Sequence, residues 1–292
     1  MKPTLTRNPD KGGKSTNATK RKRESRRPSR LTESAIVKLA SHITERDRRI
    51  ALDCYEHNVL TTDQIMRLHF TSTRIAQVRL QRLYELRVLE RFRPGPRAGE
   101  GSHPYHWTLD EAGALIVADW KGLDRSELRY TRDDGLRLAG SRNLTHHVEA
   151  NEFFTRLAVD ANRAGGALSE WYGVRTLAHL LARIVVPDGY GVLTMPNRPP
   201  RHLLLELDRG TEPSQILREK AKAYADILPH SSLSKHEPFV IFAVPSIRRA
   251  KTTTAVVANT RAPIAVVIWS AASTQSVLAA VCAAASRARD VR

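Results

Sequence analysis

Pro187-Asp188-Gly189-Tyr190, followed by His202-Leu203-Leu204-Leu205-Glu206-Leu207-Asp208, carries the clearest structural signal in this chain. The unbroken apolar run at Leu203–Leu205 has strand length and no alternation, so it reads as a strand buried on both faces. Tyr190 to Leu193 reads as its neighbour across a Pro-rich turn. Each strand then carries one carboxylate, Asp188 or Glu206, at an adjoining end. Upstream, Thr145 to Ala164 predicts a helix with an apolar stripe of Val148, Phe153, Phe154 and Leu157, with Thr145 as its cap and Glu149 in its first turns. Trp171 to Val174 is a predicted strand, Thr176 to Arg183 a short helical insertion, and Ile184 to Val186 leads into Pro187. Downstream, Glu212 to Leu228 predicts a helix carrying Lys220 and Lys222, and Pro238 to Val244 and Ile264 to Trp269 predict buried strands. Thr274 to Arg289 reads as a final helix. The fold class is therefore α/β (α+β), with an α-β-β-β-α-β order plus additions over residues 144–292.

The segment 32–120 has a different pattern. Thr44 to Asn58 reads as a helix. Thr61 with Gln64 three positions on is a capping-box pattern that starts a second helix bearing Ile65 and Leu68. After Thr71-Ser72, a third helix from Thr73 to Arg87 is expected to turn Ile75, Val78, Leu83 and Leu86 inward and leave Arg74, Gln77, Arg79, Gln81 and Arg82 outward. Val88 to Arg93 and Tyr105 to Leu109 alternate as strands around a Gly- and Pro-rich loop. This is a winged helix-turn-helix plan. It predicts a third helix in the major groove, with Arg74, Gln77, Arg79 and Arg82 facing DNA and Arg91, Arg93 and Arg97 along the backbone. Residues 121–143 are charged and turn-rich, and read as a linker or docking segment.

Charge points the same way. The 292 residues contain 47 Lys and Arg against 30 Asp and Glu, a formal net charge of +17, and such a surface attracts polyanions. Residues 1–31 form a basic arm, with eleven Lys and Arg among the first 30 residues against only Asp10 and Glu24. Without aromatic residues it is expected to be disordered and to touch phosphates non-specifically. No apolar stretch reaches the ~20 residues of a membrane-spanning helix, and the basic start lacks the apolar segment of a secretory signal. Cys54 and Cys282 give neither a disulfide framework nor a disulfide-linked partner. A cytoplasmic protein associated with the nucleoid or a plasmid is expected, with double-stranded DNA as partner. The sequence does not fix an oligomeric state, a homodimer included.

The predicted α-β-β-β-α-β region resembles the PD-(D/E)XK nuclease core. That resemblance implies an Asp and a Glu at adjacent strand ends binding Mg²⁺ (or Mn²⁺), with a Lys positioning the attacking hydroxide. Asp188 and Glu206 take the ligand positions, Asp208 is a further candidate ligand, and Glu149 would assist directly or through water. The motif lysine is replaced by Asp208, so Lys220 or Lys222 would substitute. They lie two apart on one helix and point to different faces, and Lys220 is preferred because Tyr224, four residues on, shares its side. His146 and His147 are neighbours on a helix, about 100° apart, so one is expected to cap or pack and the other to be exposed.

Leu60 to Ile65 with Arg79 to Leu83, His106 to Leu109 with Ala112 to Ala114, His147 to Phe154, Pro187 to Tyr190, Glu206 to Glu212 and Lys220 to Tyr224 together resemble the replication-relaxation family. The match spans roughly Arg48 to Arg249. It implies a role in replication and relaxation of bacterial plasmids and integrative elements, and a family habit of Glu-x-Asp where Glu-x-Lys is usual. Three readings stay open: a metal-dependent nicking or cleaving nuclease, a non-catalytic initiator or transcriptional regulator with a degenerate nuclease core, and a protein-only interaction module without salt-sensitive DNA affinity.

Overall fold

The computed structural model describes residues 31–95, 103–181 and 183–289, so the basic arm up to Arg30 and the expected phosphate contact Arg97 lie outside the described residues. The described residues form a mixed α/β structure with two sheets. In the first half, α1 (Glu33–Ala40) and α2 (Glu45–Glu56) precede a two-residue strand β1 (Leu60–Thr61). Helices α3 (Thr62–His69) and α4 (Thr73–Glu85) follow, then β2 (Leu89–Phe92), β3 (His106–Leu109) and α5 (Glu111–Lys121). The sheet order is β1-β3-β2, all antiparallel.

Local chemistry sets the helix starts. Thr61 accepts the Gln64 amide while Gln64 accepts the Thr61 amide, the expected capping box. A second box joins Thr44 and Asp47 at α2. On α4 the inward residues are Ala76, Leu80 and Leu83. Ile75 and Val78, expected in the core, are 52% and 58% exposed.

The segment read as a linker or docking piece closes over this core. It includes α6 (Arg132–Arg137). Leu128 and Tyr130 are buried in the first cluster, and the Tyr130 hydroxyl donates to the Leu109 carbonyl at 3.0 Å.

The second half begins with α7 (Leu144–Arg163), preceded by Asn143 at the N-cap position rather than the expected Thr145. It continues through β4 (Ala167–Tyr172), α8 (Val174–Leu180), β5 (Gly189–Met195), β6 (Arg198–Leu207) and α9 (Ser214–Ile227). The last elements are β7 (Phe239–Val244), α10 (Ile247–Val257), β8 (Ile264–Ile268) and α11 (Val277–Arg289). Strand order is β4-β5-β6-β7-β8, antiparallel through β6 and parallel beyond it. Leu203, Leu205 and Leu207 enter the core under α7 and α11, whereas Leu204 joins Leu217 and Tyr224 of α9 on the other face. The continuous leucine run is thus explained by burial on both sides.

One helix ties the two halves together. Glu152 of α7 takes both guanidinium nitrogens of Arg67 at 2.7 and 2.9 Å, the Gln64 amide at 3.2 Å and Arg156 at 2.7 Å. Asn151 donates to the Val59 carbonyl at 2.7 Å, and the His57 ring stacks on Trp171 with centroids 3.5 Å apart. Arg156 also reaches the carbonyls of Ala271 and Ser273 ahead of α11.

Candidate functional site

The acidic end of the second sheet is built by strand register. Asp188 N–H donates to the Leu205 carbonyl at 2.8 Å, so Asp188 stands beside Glu206 at the end of β6. Gly189 must be glycine here, since a Cβ would meet the Phe154 ring at 2.3 Å. That close approach seats α7 against β5 and brings its first turn to Asp188.

Asp188 is held on both oxygens. One accepts the Leu207 backbone N–H at 2.8 Å, and the other lies 2.7 Å from His146 Nε2. Neither histidine was expected to join the acids, and His146 does so because the register of α7 turns it inward. The hydrogen bond to Asp188 holds the His146 imidazole above its ordinary pKa, against the opposing effect of burial. His147 is lowered, chiefly by burial.

Glu206 is almost fully buried. Its oxygens accept from the Tyr224 hydroxyl at 2.6 Å and the Lys220 ammonium at 2.8 Å. Burial, then the neighbouring charge of Asp188, push its carboxyl up to about 7 despite Lys220. Burial alone would lower Lys220, but Glu206 and Glu212 outweigh it and hold the ammonium above its ordinary value. Lys220 also meets Glu212 at 2.8 Å, whose second oxygen is buried without a hydrogen-bond partner. Lys220 is therefore the lysine that reaches the acids, while Lys222 lines a groove between α9 and α10 with Arg218 and Arg261.

Two other acids expected here have their own cations. Asp208 is bonded to Arg249 of α10 and to the Gly210 N–H at 2.8 Å. Glu149, one turn after His146, pairs with Arg209 at 3.0 Å. The inner group is thus Asp188, Glu206 and Glu212 around Lys220 and His146, with one buried Glu212 oxygen lacking a hydrogen-bond partner. Among the described residues, no three His, Cys, Asp or Glu side chains form a ready-made metal cage. Hard oxygen donors in this number suit a divalent cation that keeps several waters and is held by one or two carboxylates.

The other surface of interest is the outer face of α4. Arg74, Gln77 and Arg82 are exposed there as expected, with Arg82 lightly paired to Glu85 at 3.5 Å. Arg79 departs from expectation, since its guanidinium is taken by the fully buried Asp47 carboxylate and the His42 carbonyl. It fastens α4 to the start of α2. Arg91 lies 4.3 Å from the ring centroids of both Tyr84 and Tyr105 and donates to Gln81 at 2.8 Å. Arg93 lies 3.8 Å over Tyr105. Tyr84 and Gln81 thus hold Arg91 against α4, while Tyr105 carries both arginines.

No helix among the described residues is long and apolar enough to cross a membrane. Cys54 is buried, Cys282 is partly exposed, and both are free thiols. The family model described as replication-relaxation matches residues 53–239, well over half of the chain. Neither the curated proteins nor the solved structures contain a match.

Proposed function

Because the chain belongs to the replication-relaxation family, we propose that it is a cytoplasmic DNA-binding protein of plasmid or mobile-element replication that nicks or cleaves DNA with a divalent cation, Mg²⁺ or Mn²⁺. In this reading the first half is a winged-helix reader of double-stranded DNA and the second a PD-(D/E)XK-like nuclease. The observation that carries the catalytic part is the adjacency of Asp188 and Glu206 at neighbouring strand ends, with Lys220 on Glu206.

Asp188 and Glu206 would hold the cation. When bound, that cation supplies Lewis-acid stabilisation of phosphate charge and an acidified water. Tyr224 fixes the Glu206 carboxylate, and His146 with the Leu207 N–H fixes Asp188. Lys220, steadied by Glu206 and Glu212, presents a positive charge to orient water or phosphate. The outer face of α4 with Arg74, Gln77 and Arg82 supplies the groove contacts, and Arg91 and Arg93 the backbone contacts.

Supercoiled plasmid incubated with the full chain and Mg²⁺ or Mn²⁺ tests the proposal. Open-circle or linear product that disappears in Asp188→Ala and Glu206→Ala, with duplex affinity retained, supports it. A second reading, a non-catalytic initiator or regulator, is favoured by one observation: each acid of the region already has a cationic neighbour, namely Lys220, Arg209, Arg249 or His146. Salt-sensitive duplex binding with no cleavage in either metal would select it.

A further inference from the structure

Two β-branched apolar residues stand on the outside of α4 without packing return. Ile75 is 52% exposed and Val78 58%, three positions apart and therefore on one stripe of the helix. Isoleucine and valine are weaker helix formers than Ala, Leu, Lys or Arg, and here each stays more than half exposed, outside the hydrophobic core. The same stripe runs on to Arg82, and Arg74 and Gln77 flank it. The first turn of α4 contains no acidic residue. An apolar strip edged by guanidinium and amide groups is complementary to the floor of a major groove, where phosphates lie at the sides and each thymine projects a 5-methyl group between hydrogen-bonding edges.

We propose that Ile75 and Val78 read thymine 5-methyl groups, so that the duplex recognised by α4 carries thymines at two neighbouring positions. This rests on the DNA-reading role proposed above and adds the chemistry of the bases read. Arg74, Gln77 and Arg82 contribute contacts to base edges or phosphates around those methyl groups.

The test uses the full chain in buffer containing EDTA, with a random-sequence duplex library enriched for binding. The enriched pool is amplified either with dTTP or with dUTP, which removes only the 5-methyl groups. Wild-type protein is expected to bind the dTTP pool about tenfold more tightly, the order of magnitude for burying two methyl groups. Ile75→Ala with Val78→Ala, both at exposed positions, is expected to bind the two pools alike, at the affinity wild type shows for the dUTP pool, with an unchanged melting temperature. Equal wild-type binding to both pools would overturn the inference while leaving DNA binding intact. So would persistence of the preference in the double variant, or a loss of self-association in it by sedimentation, which would mark the stripe as a protein interface. Absence of binding to any duplex would overturn both this inference and the DNA-reading role.

Discussion

Asp188 accepts the backbone N–H of Leu207 at 2.8 Å, joining the carboxylate of one strand to the last residue of the next. The same side chain is therefore structural and, in the proposed site, a cation ligand. Asp188→Asn keeps an oxygen acceptor for that amide, whereas Asp188→Ala leaves the donor unpaired at a cost of about 1–3 kcal/mol. Urea denaturation is expected to show the larger loss for the alanine variant only. Plasmid nicking should vanish in both, and nicking by Asp188→Asn at wild-type rate would remove Asp188 from the site.

The Glu206 carboxyl provides a pH test. Burial first and Asp188 second raise it to about 7, while an unfolded Glu titrates near ~4.3. The folded chain thus keeps a proton there that the unfolded chain has released. Its contribution to stability is complete below about pH 4.3 and is lost as pH rises through about 7. The stability difference between wild type and Glu206→Gln should change across that window in the direction of a relatively weaker wild type at high pH. Mg²⁺ competes with the proton, so it should raise the melting temperature more at pH 8 than at pH 6. Equal shifts at the two pH values would count against a cation on Glu206.

Much of this arrangement is legible in the sequence, and the failures share one cause. The run Leu203–Leu205 and the Thr61–Gln64 box are local signals, and both elements form, although the strand starts at Arg198 and so takes in Pro199 and Pro200, which read as part of the turn. Helix α4 carries two candidate apolar stripes, one through Ile75 and Val78 and one through Ala76, Leu80 and Leu83. Hydrophobicity favours the first, but packing against the rest of the core selects the second. Arg79 reads as a surface residue because its partner Asp47 lies 32 positions away. His146 and His147 could not be told apart without the seat of Phe154 on Gly189, which sets how α7 is turned. Helix α10, which brings Arg249 to Asp208, was not anticipated either; its own pattern is too short to predict that tertiary contact.

Asp47 links two capping and packing roles in one buried carboxylate. Burial would raise its pKa, but hydrogen bonds from Arg79 and Thr44 outweigh this and hold it below the ordinary carboxylate value. Its stabilising effect is therefore present above about pH 4 and lost as pH falls through the depressed value. Asp47→Ala is expected to cost about 3–5 kcal/mol, since it strands a partly buried guanidinium. Acid unfolding followed by circular dichroism should begin at higher pH in Asp47→Asn than in wild type.

Glu152 is the charge on which Arg67, Gln64 and Arg156 converge. Burial opposes its ionisation, yet Arg67 and Arg156 hold the carboxyl below its ordinary value. Glu152→Ala is expected to destabilise the protein by about 3–5 kcal/mol and to split a single calorimetric transition into two as the halves uncouple. A single sharp transition at the wild-type temperature would show that Glu152 does not couple them.

The clasp of α3 onto α7 has a geometric consequence. One helix carries both the residues that bond to the first half, Asn151 and Glu152, and the histidine beside Asp188. On the proposed function, a strand break would fall at a constant number of base pairs from the bases contacted by α4. The protein would behave as a caliper, with an offset written into the length of a single helix.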